Sequence, residues 1–117
     1  MKTLLKISIA TMLVTSMSFG AENTTETIQV DKELASKGKT LFTSCVGCHG
    51  ANAEKKALGK SQVIAGWDIT RTQNALNGYK DGSYGGVMKG VMKGQVVRFN
   101  EEQITHLSHY IASIENK

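Results

Sequence analysis

Residues 45–49 read CVGCH, and they hold the two cysteines of the 117-residue chain, Cys45 and Cys48, with His49 directly behind them. This stretch constrains the fold more than any other, because a close-set thiol pair with an adjoining imidazole serves few chemistries. It is a disulfide or redox pair, part of a zinc site, or the attachment point of a c-type haem. Each needs different surroundings, so the rest of the sequence chooses between them.

The beginning of the chain bears on the compartment. Lys2 and Lys6 precede a mainly apolar stretch from Ile7 to Phe19, and small Ser18 and Gly20 stand at the positions a signal peptidase reads. Those 13 apolar-rich residues are too short for a bilayer, which takes about 20 residues of helix. Residues 1–20 are therefore expected to be a signal peptide cleaved near Gly20 and Ala21, giving an exported protein without stable membrane insertion afterwards. Cleavage leaves 97 residues, one small domain, and lowers the formal charge from +4 to +2 with the loss of Lys2 and Lys6. So small an excess gives no support to nucleic-acid binding. Residues 21–30, largely polar and without an apolar period, are expected to form a flexible leader before a single domain over 31–117.

The domain reads as helical, with no alternating strand pattern. Asp31 is placed to cap a helix whose Leu34, Gly38, Leu41, Phe42 and Cys45 recur at helical spacing. Asp68 is placed to cap a second, carrying Ile69, Thr72, Leu76 and Tyr79 and ending near Gly78 before the turn-rich KDGSYGG. In a third, Asn100 and Gln103 form a capping-box pattern, Phe99 and Ile104 occupy staple positions, and Leu107, Ile111 and Ile114 continue the apolar face. Val87–Met92 adds a short helical turn.

These surroundings weigh against two of the three chemistries. A thioredoxin-like pair belongs after a strand in a βαβ unit, whereas Cys45 follows a helix. Zinc needs a fourth ligand, and the remaining histidines, His106 and His109, lie at an unsuitable spacing. A disulfide across two residues closes a very small loop and leaves His49 unexplained. Haem attachment uses the whole motif: cysteines at i and i+3 share a helical face at roughly 5–6 Å, suited to thioethers on two vinyl groups. His49 follows as an iron ligand, and Gly47 lets the backbone pass close to the ring. A porphyrin also supplies the staple that so small a domain needs. Phe42, Trp67, Tyr79, Tyr84 and Phe99 are candidates to line it.

With this motif near the mature N-terminus, Gly38 and Phe42 before it, a glycine-rich stretch with methionines, and Leu107 and Tyr110 in the last helix, the chain resembles a class I cytochrome c. More narrowly, GYKDGSYGG followed by VMKGVMKGQVVRFNEEQITHLSHYI is similar to the small soluble monohaem cytochromes c-553. The likeness covers Asp31 to Ile114. It implies an all-α fold of three to four helices around one covalently attached haem c, with Gly38 and Phe42 meeting Leu107 and Tyr110. Many class I members orient the ligand histidine with a proline carbonyl, and this chain has no proline. Some carbonyl between Ala57 and Gly66 is therefore expected to take the Nδ1 proton of His49.

The sixth position of the iron decides the function. Met1, Met12 and Met17 leave with the signal, so Met88 and Met92 are the thioether candidates, four residues apart and on one helical face. Aligned on YGG and NEEQI, Met92 falls where the related cytochromes carry their ligand, in the loop entering the last helix, with Met88 the second choice. His/Met ligation favours electron transfer, so the resemblance implies a monomeric periplasmic one-electron carrier, not an enzyme. Its partners would be a redox donor and acceptor, docked at a haem edge rich in Lys55, Lys56, Lys60, Lys80, Lys89 and Lys93. The other reading is a catalytic or ligand-binding haem protein, peroxidase-like or gas-sensing, with ligation by His106 or His109 a further variant.

Overall fold

The computed structural model describes residues 28–115. The expected signal peptide at 1–20 and most of the leader at 21–30 lie outside the described residues. What is described is all-helical: α1 (Lys32–Phe42), α2 (Val46–His49), α3 (Ile69–Asp81), α4 (Lys89–Val96) and α5 (Glu101–Ser113), with a single 3₁₀ turn at Ala57–Gly59. That is five helices where the sequence suggested three or four. The haem-motif segment forms a short helix of its own, and α4 is longer than one turn.

The helix starts follow from the caps. The Asp31 carboxylate accepts from the Glu33 and Leu34 amides at 2.8 and 3.0 Å, which satisfies two of the donors a helix N-terminus leaves free. Those bonds, that from Leu34 foremost, hold the carboxyl below its ordinary pKa. Asp68 caps α3 through the Arg71 amide at 2.7 Å. The helix continues three residues past the expected stop and ends at Gly82, whose φ of 87° is the left-handed C-cap that glycine adopts most readily. At α5 the capping box is complete: Asn100 Oδ1 accepts from Gln103 N at 2.9 Å, and Gln103 Oε1 accepts from Asn100 N at 3.0 Å.

Helices α1 and α5 cross in close contact, and α5 also packs on α3, which in turn meets α4. The crossing depends on Gly38. A β-carbon there would run into the carbonyl oxygen of His106 and lie 2.8 Å from Tyr110 Cβ, so only glycine lets the two backbones approach this far. One turn on, the Phe42 and Tyr110 rings meet at 5.2 Å with a 56° tilt. His109 Nδ1 accepts the Asp31 amide at 2.9 Å, tying the start of α1 to the far helix. The expected meeting of Gly38 and Phe42 with the last helix is thus observed. The core beneath the crossing holds Phe42, Val96, Phe99, Ile104, Leu107 and Ile111. Ser108, fully buried, turns its hydroxyl back to the Ile104 carbonyl at 2.7 Å and so adds no unsatisfied polar group.

Candidate cofactor site

A cavity of about 470 Å³ opens between the core and the surface, and Cys45, Gly47, Cys48, His49, Met88 and Met92 all line it. A second recess of about 280 Å³ shares His49, Tyr79 and Met92 with the first and extends to Trp67 and Tyr84. The walls are apolar for the most part, with Phe42, Leu76, Phe99, Leu107 and Ile111 supplied by four different segments.

Helix α2 delivers the motif. Its start is held by the Cys45 carbonyl, which accepts from the Cys48 and His49 amides at 3.2 and 2.9 Å. Both thiols are free. Cys45 is half-buried, and that burial pushes its thiol pKa up while the neighbouring Ser44 hydroxyl, 3.7 Å from the sulfur, opposes the shift. Cys48 is exposed. Gly47 lines the cavity with nothing within 4 Å of a β-carbon built on it, so the backbone presents an open cradle there.

His49 is the sharpest feature of the site. It is only 5% exposed, and neither ring nitrogen has a hydrogen-bond partner. Burial depresses its pKa and keeps the imidazole neutral, leaving one nitrogen lone pair available for a metal. The expected carbonyl for Nδ1 is not found. Two carbonyls of the segment are engaged locally, that of Ala57 with the Lys60 and Ser61 amides and that of Ile64 with the Trp67 amide.

Met92 is half-buried against the core, whereas Met88 is 42% exposed. The expectation that Met92 lies in the loop before the last helix is corrected: it sits inside α4, and Met88 is the residue that caps that helix. Glycines at 90 and 94, poor helix formers, hid the element from the sequence pattern. The alternative ligands His106 and His109 do not line the cavity. His109 is engaged with Asp31, and His106 Nε2 lies 3.8 Å from Glu102. No group of three or more His, Cys, Asp or Glu among the described residues is arranged to hold a metal ion.

Of the aromatic candidates, Phe42, Tyr79 and Phe99 line the main cavity, while Trp67 and Tyr84 line the recess. Leu76, Ile64 and Ile111 line it too, although the sequence singled none of them out for this role. Leu76 and Ile111 were legible as helix-face residues, but apolar spacing does not separate a cavity lining from a dry core. Among the lysines, Lys60 and Lys89 reach the cavity and Lys55, Lys56 and Lys93 are exposed. Lys80 is withdrawn from the expected rim: its Nζ donates to the Phe99 carbonyl at 2.9 Å and lies 3.6 Å from Glu101.

A buried neutral imidazole, two thioethers, a pair of free thiols on one helical turn and apolar walls fit a large apolar macrocycle that carries a metal and is fixed through sulfur. No helix among the described residues is long and apolar enough to cross a membrane. The family model for cytochrome c matches residues 35–115. The chain is 38% identical to cytochrome c-553 of Nitratidesulfovibrio vulgaris (strain Miyazaki F) over 85 residues, 73% of this chain and 83% of that protein. Identity to cytochrome c-553 of Helicobacter pylori (strain 26695) is 32% over 82 residues, covering 70% of this chain and 82% of the relative. Cytochrome c-554(547) of Halothiobacillus neapolitanus is 31% identical over 90 residues, 69% and 97% of the two chains.

Proposed function

This chain belongs to the cytochrome c family, as a small class I monohaem protein of the c-553 type, and from that premise we propose that it is a periplasmic carrier whose haem iron is held by His49 and Met92. It is an electron-transfer protein with covalently bound haem c, not an enzyme. When bound, the haem supplies a one-electron couple between ferric and ferrous iron.

The observation that carries the ligand reading is His49, buried and unpartnered at both nitrogens on a cavity that Met92 also lines. Cys45 and Cys48 would hold the group through thioether bonds. His49 would supply an imidazole nitrogen and Met92 a thioether sulfur, a donor pair that favours electron transfer over oxygen chemistry. Phe42, Leu107 and Ile111 exclude water, which lowers the local dielectric and helps set the potential. Residues 1–20, read as a cleaved signal, send the chain to the oxidising compartment, with 21–30 as leader and 31–117 as the working domain. Lys55, Lys56, Lys60, Lys89 and Lys93 give a positive rim for an acidic redox partner, and the carrier acts as a monomer.

Purified mature protein tests this reading. The haem stays with the chain through acid-acetone extraction, and the intact mass equals that of residues 21–117 plus one haem. The spectrum is six-coordinate low-spin and unaltered by carbon monoxide at neutral pH. Extractable haem, or prompt carbon monoxide binding, contradicts it. Electron exchange with an acidic partner slows as salt shortens the Debye length from ~10 Å at 0.1 M to ~3 Å at 1 M; a salt-independent rate removes the lysine rim from the account.

A further inference from the structure

Two methionines, not one, line the cavity beside His49. Resting on Met92 as the resident sixth ligand, we propose that Met88 is a reserve axial ligand, placed to take the iron when the Met92 thioether leaves it.

The two sulfur residues stand in different mechanical settings. Met92 belongs to the body of α4, whose last turn is anchored in the core by Val96 and, just beyond, by Phe99. Met88 caps the other end of that helix at 42% exposed, and its neighbour Val87 is 97% exposed, so this short segment is packed less firmly than the body of the helix. Behind it the chain is fixed at Gly85, where φ is 100° and a β-carbon would strike the Tyr79 ring at 2.5 Å. Between that clamp and α4 lies Gly86, with open space where a β-carbon would be. The Gly86–Met88 piece is tied forward by the Lys89 amide on the Gly86 carbonyl and the Val91 amide on the Met88 carbonyl, both at 3.0 Å.

Such a segment has one stiff end, one glycine joint and a few exposed hydrogen bonds, which is the profile of a locally opening unit. Glycine supplies backbone freedom at the joint, and methionine supplies an unbranched side chain with three rotatable bonds. Met88 already reaches the cavity with part of its side chain in water, so an inward movement buries apolar surface instead of exposing it. Among the described residues no other thioether lines the cavity, and both remaining histidines sit elsewhere.

The test uses holoprotein carrying Met92→Leu, a swap close to volume-conserving, compared with Met88→Leu and the double variant. The readouts are the near-infrared charge-transfer band of thioether-ligated ferric haem and the rate of carbon monoxide binding to the ferrous form. A reserve ligand leaves Met92→Leu with a thioether band, which the double variant lacks, and makes its carbon monoxide binding at least tenfold slower than that of the double variant. Met92→Leu indistinguishable from the double variant overturns the proposal. Loss of the band in Met88→Leu alone overturns instead the reading of Met92 as resident ligand. If Met92→Leu does not mature, wild type and Met88→Leu are compared under excess carbon monoxide. Competition for the vacated site makes Met88→Leu several-fold faster, and equal rates overturn the proposal.

Discussion

The α1–α5 crossing and the α2–α4 side of the molecule are built on opposite terms. At the crossing, protein packs on protein: Gly38 lies against the His106 backbone, Phe42 against Tyr110, and the Asp31 amide on His109. Around the cavity, large apolar side chains stand open, with Leu58, Val87 and Val91 all exposed and His49 holding two unpartnered nitrogens. The first region is finished by its own sequence, and the second is shaped for a guest. A small domain can combine the two because a covalently held apolar group replaces core that so short a chain cannot supply.

The comparison breaks most readily at the crossing. Ile104, 1% exposed in α5 and absent from the cavity wall, should cost about 2–5 kcal/mol when cut to alanine. Guanidinium unfolding of the holoprotein reads this, and the Soret and charge-transfer bands should be unmoved. A loss below about 1 kcal/mol would mean that the crossing is not the tightly packed half. Next in size is Asn100→Ala, which opens the capping box of α5 and should cost about 1 kcal/mol by the same measurement. No change there would show that the core fixes α5 without its cap. The smallest effect is expected at a surface that is neither packed nor on the cavity wall: Val97→Ser, at a residue 60% exposed, should stay within about 0.5 kcal/mol. A clear destabilisation would show that the tightly packed half extends past the end of α4.

The sequence and the structure agree where a local rule acts alone. Asp31, Asp68 and the Asn100–Gln103 pair announce their helix starts because capping is a matter of neighbouring residues, and all three caps form. The CVGCH motif carries its chemistry in its spacing. Helix α4 was legible only as a turn, since Gly90 and Gly94 lower helix propensity while the contact with α3 restores the helix. Burial of His106 and His109 was not legible at all: a histidine on an apolar helix face reads the same whether it faces a cavity or a second helix. Lys80 likewise reads as a free surface charge until the fold brings the Phe99 carbonyl to it.

The ligand assignment is the claim on which the account turns, and proton NMR of the ferrous holoprotein with selectively labelled methionine and histidine tests it without any substitution. A methyl group bound over the haem is shifted far upfield by the ring current. The account predicts one such methyl, assigned to Met92, together with strongly shifted ring protons from His49 and none from His106 or His109. A shifted methyl from Met88, or shifted rings from two histidines with no shifted methyl, would contradict it.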